Sequence, residues 1–277
     1  MLHTCTQQFR PPFGLENPHL QSLFSISLRT PPLPIVQHTE DRLPDGDTID
    51  VTWYGETTGP TLLILPGITG NSNTAYCQRL ARYFSSKNWR VAIVHARGCG
   101  VKTTLRTQKS YHGADILGLA TTIETLKTQH PHMPIIAIGC SLGGCVLLNY
   151  LKDNNTLTAA AAISTPYDLG KSAKRLDTPA LKYYRYTILK NLKKWVKQAQ
   201  PNWHLKNYEG DSIIEFDDLI TAPANGFDSA QAYYQSASPY QHLASIQTPL
   251  CLIHSLDDPI VQPKIHDTHL PQNLRVI

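Results

Sequence analysis

The chain has 277 residues, a formal net charge of +4 and a charged fraction of 17%, long enough for one large α/β domain, with or without a small insertion. So small and scattered a charge excludes an electrostatic footprint for nucleic acid. The Lys190–Lys197 run, with Trp195 as its single aromatic, reads as a solvated helix face suited at most to peripheral contact with anionic lipid headgroups. The six cysteines, Cys5, Cys77, Cys99, Cys140, Cys145 and Cys251, form no C-x-x-C pair, which points to reduced thiols and away from a disulfide framework or zinc site. No apolar run is long enough to cross a bilayer and the first residues do not spell a signal peptide, so the expectation is a soluble, cytoplasmic chain.

Residues 1–48 are proline-rich and polar, and they read as an arm laid over the domain with a short helix near His19–Ser25. Ile49–Tyr54 alternates as a strand. Thr61–Gly67 is a more apolar strand of the kind found inside a parallel sheet, and it runs into Pro66-Gly67-Ile68-Thr69-Gly70, a loop whose backbone amides can face a ligand. A helix over 74–86, a strand over 89–95, a helix over 112–129 and an apolar strand over 158–164 follow in turn. Strand and helix alternate at spacings suited to right-handed crossovers in a mostly parallel sheet with helices on both faces. GITGN does not give the G-x-G-x-x-G spacing of a dinucleotide site.

Between the third and fourth of these strands lies IIAIGCSLGGCVLLNY, residues 135–150. An apolar strand stops at Gly139-Cys140-Ser141-Leu142-Gly143 and restarts as a helix, which is G-x-S-x-G in the strand-turn-helix setting that exposes a nucleophilic serine. A serine hydroxyl needs a base and donors for the oxyanion before it attacks a carbonyl. Cys140 flanks the serine, but the motif gives the exposed position to Ser141. Residues 167–245 break the alternating rhythm with helical material at 179–200 and 228–234, many aromatics and no core strand. That composition suits a cap over the C-terminal ends of the strands, walling a pocket and excluding water. Pro249–His254 resumes the strand pattern and enters Asp257-Asp258-Pro259, where chain order places the acid of a Ser-Asp-His triad. Residues 273–277 read as the start of one more strand.

Several blocks carry a family resemblance over nearly the whole chain: FRPPFGLENPHLQSLF (9–24), PGITG with NSNTAY, RGCG (97–100), YHGADI (111–116), GCSLGG, FDDLITAPANGF (216–227), YYQSAS (233–238) and DDPIV (257–261). The chain resembles the α/β-hydrolase superfamily, in the branch joining bacterial YheT-like hydrolases to ABHD-type acylglycerol and phospholipid esterases and the yeast alcohol acyltransferase/esterases. The resemblance implies an α/β-hydrolase fold with an arm over 1–48, a core over 49–166 and 246–277, and a helical cap over 167–245. By position it makes Ser141 the nucleophile and Asp258, rather than Asp257, the triad acid. It gives the oxyanion amides to Leu142 and Ile68, with Gly67 and Cys140 near the pocket and His19 at its mouth. No metal or organic cofactor is implied.

The resemblance also puts the triad histidine in a loop after the final strand, farther from the acid than the 19 residues that follow Asp258. His266 and His269 come too early and His254 belongs to a strand, so the histidine is expected beyond residue 277, in a C-terminally incomplete core. Arg97, His112 and Asp115 are expected to organise loops by structural hydrogen bonding, and Asp217 and Asp218 to serve the cap. The reading is a serine esterase acting on carboxylic esters through an acyl-enzyme, with acyl lipids or medium-chain esters as the candidate substrates. The alternatives are acyl transfer to an alcohol, or a catalytically impaired hydrolase fold retained for binding.

Overall fold

The computed structural model describes residues 3–4, 10–27, 30–55, 58–101, 105–200, 202–203, 208–261 and 275–276. Among these, nine strands form one sheet: β1 (His3–Thr4), β2 (Gln37–Arg42), β3 (Thr48–Tyr54), β4 (Thr61–Leu65), β5 (Arg90–Val94), β6 (Ile135–Cys140), β7 (Ala159–Ile163), β8 (Leu250–Ile253) and β9 (Arg275–Val276). Their order is β1-β9-β8-β7-β6-β4-β5-β3-β2. The strands from β1 through β5 in this order pair in parallel, while β3 and then β2 close the other edge antiparallel.

Period-2 alternation in the apolar strands produces the layers. Leu63 and Leu65 of β4 and Ala92 and Val94 of β5 face one side, where α3 (Leu117–Gln129) and α4 (Leu142–Leu151) bury Leu119, Ile123, Leu126 and Leu147 against them. Leu62, Ile64, Val91 and Ile93 face the other side, against Cys77 and Ala81 of α2 (Ala75–Ser85). Each such fully buried aliphatic side chain contributes about 1.5–3 kcal/mol. The result is the α/β-hydrolase architecture, a mostly parallel sheet with helices on both faces.

A third apolar cluster lies beyond the sheet. It is built from α5 (Leu169–Leu176), α6 (Lys182–Ala199), α7 (Ile213–Phe216), a π-helical turn (Asp217–Thr221), α8 (Ala222–Ala224) and α9 (Ala230–Ala237). In α6, Leu189, Leu192, Trp195 and Val196 are buried, while Lys190, Lys194 and Lys197 point outward. The pattern puts the lysines on a solvated face.

Three local expectations shift. Residues 37–42, read as part of the arm, form the edge strand β2, whose polar QHTEDR sequence keeps one face exposed. Helix α3 begins at Leu117 and not at His112, because residues 112–116 are spent on other bonds: His112 Nδ1 accepts from the Ala114 amide and the Gly113 amide donates to the Tyr233 hydroxyl. Helix α1 (Pro18–Ser27) reaches two residues past the predicted segment.

Arg97 ties the two ends of the core together. Its guanidinium donates to Asp115 at 2.8 Å, Asp47 at 2.8 Å and Asp45 at 2.7 Å, and its carbonyl accepts from the Trp195 indole at 2.9 Å. Asp47 also accepts from the amides of Arg106 and Thr107. Burial alone would lower the Arg97 pKa, but the carboxylates of Asp115 and Asp45 more than offset it and hold the charge above its ordinary value. Removing that charge strands carboxylates inside the fold, so Arg97→Met should cost about 3–5 kcal/mol and lower Tm by roughly 6–20 °C. Lys109→Met, which removes an exposed partner of Asp45, should change Tm little; equal melting shifts for the two variants would refute the role given to Arg97.

Candidate active site

Strand register aligns the ends that carry the site. Leu65 of β4 pairs with Gly139 of β6, Cys140 with Ile163 of β7, and Ile163 with Ile253 of β8. The segments after β4, β6, β7 and β8 therefore emerge along one edge of the sheet.

Ser141 stands between β6 and α4 with φ 52° and ψ −122°, a left-handed conformation that costs a non-glycine residue about 1–3 kcal/mol. Its backbone is held from both sides. Its amide donates to the Ile163 carbonyl at 2.9 Å, and its carbonyl accepts from Gly144 at 2.9 Å and Cys145 at 3.3 Å. The turn closes only because three neighbours lack side chains. A Cβ on Gly139 would press on the Gly143 carbonyl and lie 2.7 Å from the Gly144 Cα, one on Gly143 would strike the carbonyl oxygens of Leu65 and Pro66, and one on Gly144 would strike Thr165.

Opposite the serine, the 66–70 loop is pinned by two phenols. The Gly67 amide donates to Tyr76 Oη at 2.7 Å, and the Thr69 amide, at φ 55°, donates to Tyr111 Oη at 3.1 Å. The amide between them, that of Ile68, has no acceptor among the described residues, nor has the amide of Leu142 at the first turn of α4. A Cβ on Gly67 would sit 3.1 Å from the Ser141 Cβ, so the two loops are in contact at the serine. The arrangement offers a hydroxyl and two unengaged amide donors to one space.

That space is a cavity of about 440 Å³, within the size range of small-molecule sites. Gly67, Ile68, Ser141 and Leu142 form its floor, while Leu169, Leu176, Ile188, Ile213 and Asp217 belong to the helices above the sheet, and Ile260 and Val261 close one side. Most of the wall is apolar.

Asp258 stands in the loop after β8. Its Oδ1 accepts from the amides of Ile260 at 2.8 Å and Val261 at 3.0 Å, and among the described residues nothing is bonded to Oδ2. Arg175 holds the same loop by donating to the Pro259 carbonyl at 2.7 Å. Asp257, by contrast, is exposed and bonded to Ser255. No histidine is among the described residues lining the cavity; His266 and His269 lie outside the described residues.

The remaining predicted positions fall elsewhere. Cys140 is buried beneath the serine and its thiol is pushed up to about 12 by burial, so it is not a thiolate at neutral pH. His19 is exposed against Tyr184 of α6, 3.1 Å from its hydroxyl, and is not part of the cavity wall. His112 is half-buried, desolvation lowers its pKa to about 4, and its ring packs edge-on to Phe227 and Tyr233. Two contributors, Tyr76 and Tyr111, had no role in the sequence reading, and a third, Asp217, was expected only to serve the cap. The first two sit in the NSNTAY and YHGADI blocks, which mark the positions without saying what the phenols hold.

A family model described as serine aminopeptidase, S33 (Hydrolase_4) matches residues 58–272. The chain belongs to this family of α/β-hydrolases. It is 29% identical over 279 aligned positions to YheT of Escherichia coli (strain K12), covering 93% of this chain and 80% of that protein. It is also 29% identical to the monoacylglycerol lipase of Saccharomyces cerevisiae (strain ATCC 204508 / S288c), covering 73% of this chain and 48% of the lipase; the chain thus spans about half the length of the yeast relative. Among solved structures, the Pyrococcus furiosus esterase Pf2001 superposes with a TM-score of 0.59 at 17% identity, over 100% of this chain and 88% of that one. At that identity the likeness concerns the fold.

Burial pushes the Asp217 carboxyl up to about 6, against the hydrogen bonds from Thr221 and Tyr234 that favour its charged form. Between the ordinary 3.8 and about 6 the folded chain therefore holds this proton more tightly than the unfolded chain. The stability it confers is full in acid and lost as pH rises through about 6. Measured by urea unfolding, the stability of the wild type relative to Asp217→Asn should fall by about 1–3 kcal/mol across that window; a difference independent of pH would contradict the burial of this carboxyl.

Proposed function

We propose that this chain is a serine hydrolase that cleaves carboxylic esters with an apolar acyl portion. The observation that carries the reading is the strained Ser141 turn, opening onto an apolar-walled cavity beside the unengaged amides of Ile68 and Leu142. A hydroxyl and two fixed donors meeting at one point is what attack on an ester carbonyl requires. Family membership and the lipase and esterase names of its relatives support the same chemistry.

In this reading Ser141 Oγ attacks the carbonyl carbon, and its proton passes to a base. The amides of Ile68 and Leu142 bind the oxyanion of the tetrahedral intermediate. Collapse releases the alcohol, which takes up the proton, and leaves an acyl-serine that water then hydrolyses. The reading gives the proton transfers to an imidazole oriented by Oδ2 of Asp258 and supplied from outside the described residues. The backbone bonds to Asp258 Oδ1 fix the carboxylate before any imidazole arrives. The residues above the sheet, 167–245, act as a cap that shields the acyl-serine from bulk water.

A fluorophosphonate probe tests the nucleophile directly. It should label the wild-type chain in a saturable manner, and Ser141→Ala should abolish labelling while leaving the melting curve in place. Persistence of labelling in that variant would overturn the assignment. Asp258→Asn keeps an acceptor for the Ile260 and Val261 amides but removes the charge, so hydrolysis of a p-nitrophenyl ester should fall by roughly 100- to 10,000-fold in kcat; an unchanged rate would remove Asp258 from the mechanism.

A further inference from the structure

Among the described residues, one carboxyl lines the cavity that holds Ser141, and it belongs to Asp217. It occupies the first position of the π-helical turn Asp217–Thr221, between α7 and α8. Turns of this type are rare and concentrate at functional sites. The neighbours on both sides do ordinary work: Phe216 and Ile220 are buried in the apolar cluster, and Asp218 accepts from the Ala230 amide at the start of α9. Asp217 alone of these reaches the cavity wall.

Its surroundings fix its direction without neutralising it. Oδ1 accepts from Thr221 Oγ1 at 2.7 Å and Oδ2 from Tyr234 Oη at 2.7 Å. Among the described residues no lysine, arginine or histidine is paired with it, and Asp177 acts on it as a like charge. A carboxyl set into apolar walls without a counter-ion is costly. Each oxygen uses one lone pair on the protein and retains another for a donor. What completes the site is a hydrogen-bond donor from the occupant.

We infer that Asp217 is a specificity-determining residue of this cavity, accepting a hydrogen bond from a free hydroxyl on the substrate, so that esters of polyhydric alcohols are favoured over simple alkyl esters. This rests on the ester-hydrolase reading for its catalytic meaning, but binding can be measured without turnover. A hydroxyl fits the site better than a quaternary ammonium. Tyr76 and Tyr234 are the only aromatics among the described lining residues, and both hydroxyls are already bonded, so the described residues build no aromatic cage around the carboxyl.

The experiment uses non-hydrolysable ethers and reads binding by calorimetry at pH 7.5. The wild type should bind 1-O-octylglycerol at least tenfold more tightly than 1-methoxyoctane. Asp217→Asn should lose most of that preference while binding 1-methoxyoctane as before. Tyr234→Phe, which removes a donor and leaves the carboxylate, should keep the preference; its retention separates recognition from a merely structural carboxyl. The inference is overturned if the wild type shows no preference, if Asp217→Asn weakens both ethers equally, or if octyltrimethylammonium is the ligand whose binding that variant abolishes. Failure of fluorophosphonate labelling with the ether preference intact would sink the hydrolase reading and leave this one standing.

Discussion

The approach of α4 to the end of β4 is the constraint on which the site depends. Gly143 sits against the carbonyl oxygens of Leu65 and Pro66, and Gly139 against the backbone of Gly143 and Gly144. With side chains at these positions the helix would have to begin farther from the sheet. Ser141 would then lose either its amide bond to Ile163 or its carbonyl bond to Gly144. The left-handed backbone of the serine persists because those bonds and contacts over-determine it. Close packing, more than any property of the serine itself, places a hydroxyl at the mouth of the sheet.

The same closeness accounts for the opposite wall. Because Gly67 nearly touches Ser141, the 66–70 loop cannot move without disturbing the elbow, and Tyr76 and Tyr111 hold it through the amides of Gly67 and Thr69. Two satisfied amides flank one that is not. Tyr111 also packs edge-on to Trp195 at 5.0 Å between ring centroids, and the Trp195 indole reaches the Arg97 carbonyl. The chain of contacts thus runs from the loop beside Ser141 through an aromatic pair to the buried guanidinium and its three carboxylates. Loop order near the serine and the seating of α6 over the sheet are parts of one network.

Much of this was legible in the sequence where the signal is local or periodic. The apolar runs of β4, β5, β6, β7 and β8 are continuous enough to be read as strands inside a parallel sheet, and G-x-S-x-G is informative because strand and helix patterns flank it. The positions of Ser141, Leu142, Ile68 and Gly67 around one cavity follow from two such loops at aligned strand ends. What was not legible depends on tertiary context. Strand β2 is polar and exposed, so nothing in QHTEDR announces it except the partner it pairs with. The segment 112–116 has helical periodicity, but its polar groups find better partners in Tyr233 and Arg97. Asp217 was read only as serving the cap, and its place in the cavity wall escaped because a π turn leaves no periodic trace and an acid in a helical stretch ordinarily faces water.

The cavity's chemistry is set by the uneven distribution of its polar groups. Among the described lining residues, Ser141 lies at the floor and one carboxyl, that of Asp217, in the wall, with Thr74, Tyr76, Ser172 and Tyr234 as the other polar side chains among aliphatic ones. An apolar chain placed in such a space is held by area alone and slides easily, since burial is roughly proportional to surface and has no direction. Hydrogen bonds do have direction. A ligand touching both polar points is therefore fixed along the cavity, and the distance between its reacting carbon and its polar group becomes a selected quantity. The π turn supports this arrangement structurally, because Thr221 and Tyr234 hold the carboxyl from the protein side and leave its remaining lone pairs for the occupant.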